Sequence, residues 1–296
     1  MIKYDPIIQK INSELFSQRG IEVSVLRLDL IHPQISGNKW FKLKYNLQEA
    51  KKQGYDTILT FGGAFSNHIH AAAIACKQFG FKSIGVIRGE QSSEANSTLS
   101  DAKQNGMQLH FVSRDLYKRK AAPEFINELK NKFGDFYLIP EGGDNELGAK
   151  GCEAILQGMS DFDQVFCACG TGTTFKGLSK ALKPHQQLIG ISVLKGEGEM
   201  TNTYSGILTD YHFGGYAKHT NELLEFKSRF ETETQIPLDY VYTAKLFFAG
   251  YDRIEKDKIP SGSKLLIIHS GGLQGNAGYE KRYALKPSLN VKEPQG

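Results

Sequence analysis

The chain has 296 residues, of which 40% are hydrophobic, 11% aromatic and 23% charged. This composition excludes a disordered or fibrous protein and supports a sizeable core in one large or two modest domains. The net charge of +4 is spread along the chain rather than gathered into a basic arm, which suits a local site for an anionic small molecule and argues against a nucleic-acid partner.

The N-terminus lacks the apolar core of a secretory signal, and no apolar run approaches the roughly 20 residues that a membrane-spanning helix needs. We therefore expect a cytoplasmic protein with no membrane partner. The chain has few cysteines for its length, namely Cys76, Cys152, Cys167 and Cys169. Because the spacing of the last two does not match a CxxC redox or zinc motif, we expect all four to be reduced and structural.

Short runs rich in β-branched and aromatic residues alternate with longer amphipathic runs, which is typical of βα units around a parallel sheet. The predicted strands are Thr57–Phe61, Ser83–Ile87, Gln108–Val112, Phe136–Ile139, Gln164–Ala168, Leu188–Val193 and Leu265–His269. Between them, apolar residues recur at intervals of three and four. These intervals predict helices over Leu43–Gln53, Asn67–Phe79, Pro123–Lys132, Leu147–Met159 and Thr173–Leu182. The pattern indicates the α/β class.

No repeat and no long linker interrupts this alternation, so any division into domains must be discontinuous or tightly packed. The segment Leu194–His219 differs from the rest, because it is rich in glycine and has little periodicity. Long irregular segments in compact domains are often functional. We expect this segment to lie near the active site.

The first motif that carries chemistry is Ser36–Lys42, in which Lys39 and Lys42 flank the only tryptophan. A lysine beside an aromatic pocket can have its pKa lowered by desolvation and form a Schiff base with an aldehyde cofactor. Most lysines are simply solvated, so Lys39 needs support from other motifs before it can be assigned a catalytic role.

A glycine-rich junction between a predicted strand and a predicted helix covers Gly62–His68. Ser66 or Asn67 can cap the helix that follows, and an ordinary N-cap is the simpler interpretation of this segment alone. Such junctions at the carboxyl ends of parallel strands line the ligand crevice of open α/β sheets. His68 and His70 would diverge on a helix and have no nearby acid, so we expect no metal here.

A second junction of the same kind, Gly170–Thr174, follows an apolar strand and precedes a predicted helix. Its backbone N–H groups and threonine hydroxyls suit a phosphate at a helix N-terminus, although a tight βα turn would need the same glycines. The dinucleotide pattern fails because Phe175 stands where glycine is required. Gly143–Gly148 also fails as a P-loop, because Ala149 and Lys150 follow it.

Six short motifs follow one another along the chain. They are Gly37-Asn38-Lys39-x-x-Lys42-Leu43-x-Tyr45, Gly62-Gly63-x-x-Ser66-Asn67, Pro140-Glu141-Gly142-Gly143, Thr171-Gly172-Thr173-Thr174, Val241-Tyr242-Thr243-x-Lys245 and His269-Ser270-Gly271-Gly272. Together and in this order they resemble the family of 1-aminocyclopropane-1-carboxylate (ACC) deaminases and D-cysteine desulfhydrases. These enzymes use pyridoxal 5′-phosphate (PLP) and share the fold of the tryptophan synthase β subunit, known as fold type II.

The resemblance implies a cofactor site. Lys39 would carry PLP in a Schiff base, Lys42 would contact the phosphate, and Asn67 would bond the ring hydroxyl. The phosphate loop would be made of Gly170, Thr171, Gly172, Thr173 and Thr174. Thr243 and Ser270 would complete the surroundings of the cofactor ring.

It also implies the residues that act on the substrate. Ser66 would bind the substrate carboxylate or take part in proton transfer, with Asn67 and His68 beside it. Tyr216 and Tyr242 resemble active-site tyrosines of the family, and Tyr216 belongs to the glycine-rich segment described above. The cofactor supplies an electron sink, and the protein supplies orientation and proton transfer.

Fold type II implies two three-layer α/β/α domains with mostly parallel twisted sheets and PLP in the cleft between them. We expect residues 1–41 and 137–296 to form the larger, PLP-binding domain and residues 42–136 the smaller one. The same resemblance implies a homodimer that acts on a small amino acid.

Two positions indicate the subtype. ACC deaminases have a carboxylate where this chain has Thr243 and a leucine where it has Ser270. Both positions resemble D-cysteine desulfhydrases, which predicts β-elimination of sulfide from D-cysteine to give pyruvate and ammonia. The chain departs from the family pattern near the lysine, at Phe41 and Lys44, and at Ala244. ACC deaminase and β-replacement of the cysteine-synthase type therefore remain the alternatives, together with a nucleotide-binding protein or a non-catalytic PLP-binding protein.

Overall fold

The computed structural model describes residues 2–90, 97–196 and 202–287. The strands of these residues are β1 (Ile8–Ile11), β2 (Glu22–Arg27), β3 (Thr57–Gly63), β4 (Lys82–Arg88), β5 (Met107–Val112), β6 (Tyr137–Ile139), β7 (Gln164–Cys169), β8 (Gln187–Ser192), β9 (Ile207–Leu208) and β10 (Lys264–His269). All seven predicted strands are present with small shifts at their ends. The sequence pattern missed β1, β2 and β9. Strands β1 and β9 are short and lie at the two edges of the six-stranded sheet, whereas β2 has six residues and lies between β1 and β10.

The α-helices are α1 (Glu14–Arg19), α2 (Asn38–Lys52), α3 (Asn67–Gln78), α4 (Ser97–Gln104), α5 (Arg114–Lys118), α6 (Pro123–Phe133), α7 (Glu146–Glu153), α8 (Thr173–Ala181), α9 (Asn221–Thr234), α10 (Thr243–Glu255) and α11 (Asn276–Tyr283). Helix α2 begins five residues before its predicted start at Leu43, so that Lys39 lies in its first turn. The helix predicted over Leu147–Met159 ends earlier, because a 3-10 turn over Ala154–Leu156 follows α7. No helix in the described ranges is long and apolar enough to cross a membrane.

The strands form two separate sheets. One has the order β1-β2-β10-β7-β8-β9 and is parallel except for β1, which runs antiparallel to β2. The other has the order β5-β4-β3-β6 and is parallel throughout. Strand β6 falls within the range predicted for the larger domain, yet it pairs with β3 of the four-stranded sheet.

Both faces of each sheet are covered, as parallel sheets require. Along β7, Phe166 belongs to the core on one face of the six-stranded sheet, and its neighbours Val165 and Cys167 belong to the core on the other face. Along β3, Ile58 and Leu59 divide in the same way between the two faces of the four-stranded sheet. This alternation accounts for the layered architecture that the chain was expected to have.

Helix α2 connects the two halves of the structure. Trp40 packs in the core of the four-stranded sheet and stacks on Phe79 with ring centroids 5.4 Å apart, whereas its neighbour Phe41 packs in the core of the six-stranded sheet. A Cβ atom at Gly151 of α7 would overlap the carbonyl oxygen of Phe41. The close approach of these two helices fixes the turn of α2 that carries Lys39 and Lys42.

The four cysteines are buried and form no disulfide, in agreement with their predicted structural role. The glycine-rich segment Leu194–His219 contains the short strand β9, which pairs with β8, so it is less irregular than expected. A strand of two residues is too short to produce a recognisable pattern. Residues 197–201 of this segment lie outside the described residues.

Candidate active site

Lys39 is presented by a turn that only glycine can form. Gly37 has φ of +73°, and a Cβ atom there would overlap the carbonyl oxygen of Ser270. The backbone N–H of Asn38 donates to the same carbonyl oxygen at 3.2 Å. The loop that follows β10 therefore packs directly against the first turn of α2.

The amine of Lys39 is prepared to act as a nucleophile. Its Nζ donates to Asn38 Oδ1 at 2.7 Å and lies 5.8 Å from the centroid of the Tyr242 ring. Burial, and then the positive charge of Lys42, lower the pKa of Lys39 to about 7. A large fraction of this amine is therefore neutral at physiological pH, which nucleophilic attack on an aldehyde requires.

The loop from Gly170 to Thr174 leads into the N-terminus of α8, where no side chain caps the backbone N–H groups. Thr173 Oγ1 donates to Asp144 Oδ1 at 2.8 Å, so Thr171 Oγ1, 3.0 Å away, donates to Thr173. Thr174 Oγ1 accepts from Asn38 Nδ2 at 2.9 Å. The threonine hydroxyls thus bond within the protein, and the backbone N–H groups are the donors left for an anion.

Lys42 lies in this region and is 4% exposed. It forms no ion pair with any residue in the described part of the chain. Burial lowers the pKa of Lys42, with nearby Cys152 and Asp144 opposing the change. A buried ammonium group without a paired carboxylate is costly, and a bound phosphate would remove that cost.

Ser66 and Asn67 open helix α3. Ser66 Oγ accepts from the backbone N–H of Ile69 at 3.3 Å, so Ser66 is the N-cap of this helix. Asn67 Oδ1 accepts from Gln274 Nε2 at 2.8 Å, and a Cβ atom at Gly272 would lie 2.7 Å from Asn67 Nδ2. The start of α3 therefore faces the loop after β10, which also contacts the turn of Lys39.

His68 is buried and neutral. Thr60 Oγ1 donates to the carbonyl oxygen of Ile139 at 2.7 Å, so it accepts from His68 Nε2 at 2.8 Å, and Nε2 carries the proton. Burial, and then the charges of Lys39 and Lys42, lower the pKa of His68 to about 3. Its Nδ1 is a buried acceptor that has no hydrogen-bond partner among the described residues. This nitrogen is available to a bound ligand that donates a hydrogen bond.

Two tyrosines flank the lysine. The rings of Tyr216 and Tyr242 meet edge to face with centroids 6.2 Å apart, and a Cβ atom at Gly170 would lie 3.2 Å from the Tyr242 ring. Burial, together with the neighbouring Tyr216 and Asp239, raises the pKa of Tyr242 well above its ordinary value. Tyr242 is therefore a neutral phenol that can donate a proton in a hydrogen bond.

Thr243 is held by Asp239. Thr243 Oγ1 donates to Asp239 Oδ1 at 2.8 Å and accepts from the backbone N–H of Asp239 at 2.7 Å. The same carboxylate accepts from the backbone N–H groups of Val241, Tyr242 and Thr243. Asp239 thus fixes the backbone at Tyr242 and the side chain of Thr243, and the contact expected between Thr243 and the cofactor ring stays a prediction.

The segment that carries Tyr216 is anchored by Lys245, a fully buried residue of α10. Its Nζ donates to the carbonyl oxygens of His212 at 2.8 Å and Gly215 at 2.7 Å. Phe213 and Ala217, which flank this turn, have positive φ values of 49° and 52°. Non-glycine residues adopt such values at a cost, and the ammonium group stabilises the turn that adopts them.

The chain matches the sequence profile of the family described as pyridoxal-phosphate dependent enzymes over residues 10–271. It belongs to this family. A Pyrococcus horikoshii protein with the provisional name 1-aminocyclopropane-1-carboxylate deaminase is 31% identical over an alignment covering 88% of this chain and 87% of that protein. A mitochondrial Arabidopsis thaliana protein, named as a bifunctional D-cysteine desulfhydrase/1-aminocyclopropane-1-carboxylate deaminase, is 31% identical over 86% of this chain and 73% of its own length.

Solved structures agree with this assignment. The crystal structure of an ACC deaminase homologue superposes with a TM-score of 0.83 at 30% identity, covering 96% of this chain and 94% of that one. A hydrogen sulfide-producing enzyme from Fusobacterium nucleatum shares the fold, with a TM-score of 0.68 at 18% identity and coverage of 90% and 93%. The predicted family and the predicted α/β architecture are confirmed, and PLP is the cofactor of this PLP-dependent enzyme.

The residues of this chain fit PLP. The uncapped N-terminus of α8 and the unpaired cation of Lys42 suit its phosphate. The lowered pKa of Lys39 suits its aldehyde, and the Tyr242 ring lies close enough to pack on a planar group held by that lysine.

The structure brings the predicted site residues to one region. Short contacts link the turn of Lys39 to Ser270 and Thr174, and they link Gly170 to Tyr242 and Asn67 to the loop after β10. Asp239 and Lys245 were given no role from the sequence. Asp239 precedes the N-cap Tyr242 by three residues, and its carboxylate bonds the N–H groups that lead into the helix. The anchoring role of Lys245 depends on its contacts with His212 and Gly215, which are distant in the chain.

The contribution of Lys42 can be tested with Lys42→Gln. We expect the PLP affinity of the apoprotein, measured by absorbance titration, to fall about tenfold or more, because a charge-assisted contact to phosphate is worth about 1.5–3 kcal/mol. Lys52→Gln, at the exposed end of the same helix, is the control and should leave the affinity unchanged. Equal PLP affinity in the Lys42 variant and the parent chain would place the phosphate elsewhere.

Proposed function

We propose that the chain is a PLP-dependent lyase that eliminates the β substituent of a small amino acid, with D-cysteine strongly preferred to ACC. The observation that carries this proposal is Thr243, a neutral hydroxyl beside Tyr242, where ACC deaminases have a carboxylate. The overall reaction is the conversion of D-cysteine and water into pyruvate, hydrogen sulfide and ammonia.

When bound, PLP supplies an electron sink for the electron pair released by breaking a Cα–H bond. A carboxylate beside the ring nitrogen would strengthen that sink, which assists the opening of an unactivated cyclopropane. A hydroxyl residue leaves the sink weaker, and this suffices when the β substituent is a good leaving group. Ser270 supports the same assignment, since its position is a leucine in ACC deaminases.

The roles of the surrounding residues follow from their geometry. The backbone N–H groups at the start of α3, beside Ser66 and Asn67, would bind the substrate carboxylate. Lys39 Nζ, with a pKa of about 7, is suited to accept the proton from Cα. Tyr242, kept neutral by its raised pKa, would orient the substrate and donate a hydrogen bond to the leaving group.

Tyr216 would border the entrance of the site. It lies over Tyr242 with 44% of its surface exposed. His68 is buried and neutral, and its Nδ1, which has no partner among the described residues, would accept a hydrogen bond from a bound ligand. We propose that PLP binds between two domains. The larger is formed by residues 1–41 and 137–296, except that β6 belongs to the sheet of the smaller, which is formed by residues 42–136. We also propose that the protein is a cytoplasmic homodimer.

The test compares kcat/KM for D-cysteine, L-cysteine and ACC on one preparation, with pyruvate, sulfide and 2-oxobutyrate measured as products. We expect D-cysteine to exceed ACC by at least about a hundredfold, since a few kcal/mol in the transition state amounts to orders of magnitude in rate. Preference for ACC would overturn the subtype assignment. Synthesis of cysteine from O-acetyl-L-serine and sulfide, without pyruvate, would instead favour β-replacement.

A further inference from the structure

A cationic side chain that the proposed mechanism does not use lies at the mouth of the site. Arg88 is the last residue of β4, and in the parallel register it is paired with Gly63 of β3. Gly63 begins the loop that leads to Ser66 and Asn67. A Cβ atom at Gly63 would lie 3.5 Å from Arg88 Nη2, so the guanidinium group lies directly beside the loop that would bind the substrate carboxylate.

The guanidinium group is held in place but is not neutralised. Its Cζ lies 5.6 Å from the centroid of the Tyr117 ring, which supports a planar cation. Arg88 is exposed and forms no ion pair within the described residues. Glu141 belongs to the same cluster, but its carboxylate pairs with Lys120 at 3.2 Å. Arg88 and Lys120 carry two positive charges and Glu141 one negative charge, so the surroundings of Arg88 have a surplus positive charge.

Other polar side chains lie near Arg88. Burial raises the pKa of Tyr216, while its hydrogen bond with Tyr242 and the charge of Arg88 lower it, so Arg88 lies close enough to Tyr216 to influence its ionisation. Burial, and then the neighbouring Glu141, raise the pKa of Tyr117, so this carboxylate lies beside the ring that supports Arg88. Arg88, a cation with forked donors, therefore lies next to the loop that would bind the substrate carboxylate.

We propose that Arg88 binds an oxyanion carried by the β substituent of the substrate, so that the enzyme prefers amino acids with a second acidic group at this position. This inference rests on the proposed β-elimination and identifies the class of leaving group. Arg88 Nη2 lies next to Gly63, three residues before Ser66. A substrate whose carboxylate is bound at the start of α3 would therefore carry its β substituent near this guanidinium group. Guanidinium binds such oxyanions through two parallel hydrogen bonds.

With O-phospho-D-serine the reaction is balanced without a further reactant. The Cα–H and Cβ–O bonds break, phosphate leaves with the electron pair of the Cβ–O bond, and water converts the released 2-aminoacrylate into pyruvate and ammonia. β-Chloro-D-alanine is the matched neutral compound, because chloride is also a good leaving group but offers no oxyanion to Arg88.

The experiment measures the ratio of kcat/KM for O-phospho-D-serine to that for β-chloro-D-alanine in the holoenzyme. We expect Arg88→Gln to lower this ratio at least about tenfold, and Arg88→Lys to lower it less because a cation is kept. Arg114→Gln, at an exposed position, is the control and should leave the ratio unchanged. An equal loss for both compounds in Arg88→Gln would overturn the proposal, since the arginine would then bind the common carboxylate.

Calorimetry separates this inference from the proposed function. The borohydride-reduced holoenzyme is titrated with O-phospho-D-serine and with D-serine, so that binding is measured without turnover. Tighter binding of the phosphorylated compound that is lost in Arg88→Gln supports the subsite even if no amino acid releases pyruvate, in which case only the proposed β-elimination fails. The absence of an Arg88-dependent difference overturns the subsite even if D-cysteine is a good substrate.

Discussion

Lys39→Ala is expected to abolish covalent binding of PLP and to lower turnover by roughly a thousandfold or more. Among the residues placed in the site, Lys39 alone has an amine that lies beside Tyr242 and has a pKa of about 7. Lys42 lies one turn further along α2 but faces the uncapped start of α8. Its removal should weaken PLP binding without removing the covalent link.

The measurement is the visible absorbance of the purified protein before and after borohydride reduction, followed by mass spectrometry of the labelled peptide. Lys42→Ala is the matched control and should keep a chromophore that borohydride reduces when PLP is in excess. A reducible chromophore in Lys39→Ala combined with its loss in Lys42→Ala would show that the wrong lysine has been assigned.

The same lysine predicts the pH dependence of reconstitution. With a pKa of about 7, the neutral fraction of the Lys39 amine rises from about one tenth at pH 6 to about nine tenths at pH 8. The rate of covalent attachment of PLP to the apoprotein should therefore increase about tenfold over this interval and level off above it. A rate that keeps rising tenfold per pH unit through pH 9 would indicate an ordinary lysine.

Lys245→Met is expected to lower kcat/KM at least about tenfold, although Lys245 contacts neither the substrate loop nor the start of α8. Its ammonium group satisfies two carbonyl oxygens of the turn that carries Tyr216, and that turn includes two non-glycine residues with positive φ. Methionine fills a similar volume but leaves both carbonyls unpaired, so the turn should relax and Tyr216 should lose its position over Tyr242.

A double-mutant cycle with Tyr216→Phe tests this mechanism. If Lys245 acts by positioning Tyr216, the double variant should have a kcat/KM only slightly lower than that of Tyr216→Phe alone. Lys256→Met, at the exposed C-terminal end of the same helix, is the control and should be close to neutral. A purely structural role would be indicated instead if the losses in kcat/KM are additive in the double variant, or if thermal denaturation shows that the Lys245→Met protein is unfolded.

The local chemistry of the sequence was enough to predict much of this protein. Apolar runs such as Thr57–Phe61 predict buried parallel strands because they are covered on both faces. The glycine and threonine cluster at Gly170–Thr174 predicts an anion site because its donors are adjacent in the chain. The order of six motifs indicates the family, and with it PLP, because an ordered set of short motifs is far more specific than any one of them.

Tertiary structure decided what depends on burial and on contacts between distant residues. Apart from the family resemblance, no local pattern distinguishes Lys245 or Lys42 from a solvated lysine, and only packing removes water from them and lowers their pKa. The contact of Asn38 with Thr174 joins residues 136 positions apart, and it forms only because α7 packs closely between α2 and α8. The sequence by itself thus determined the fold class and the cofactor, whereas long-range packing decided which lysines are buried, that Lys245 anchors the turn of Tyr216, and that Arg88 forms no ion pair within the described residues.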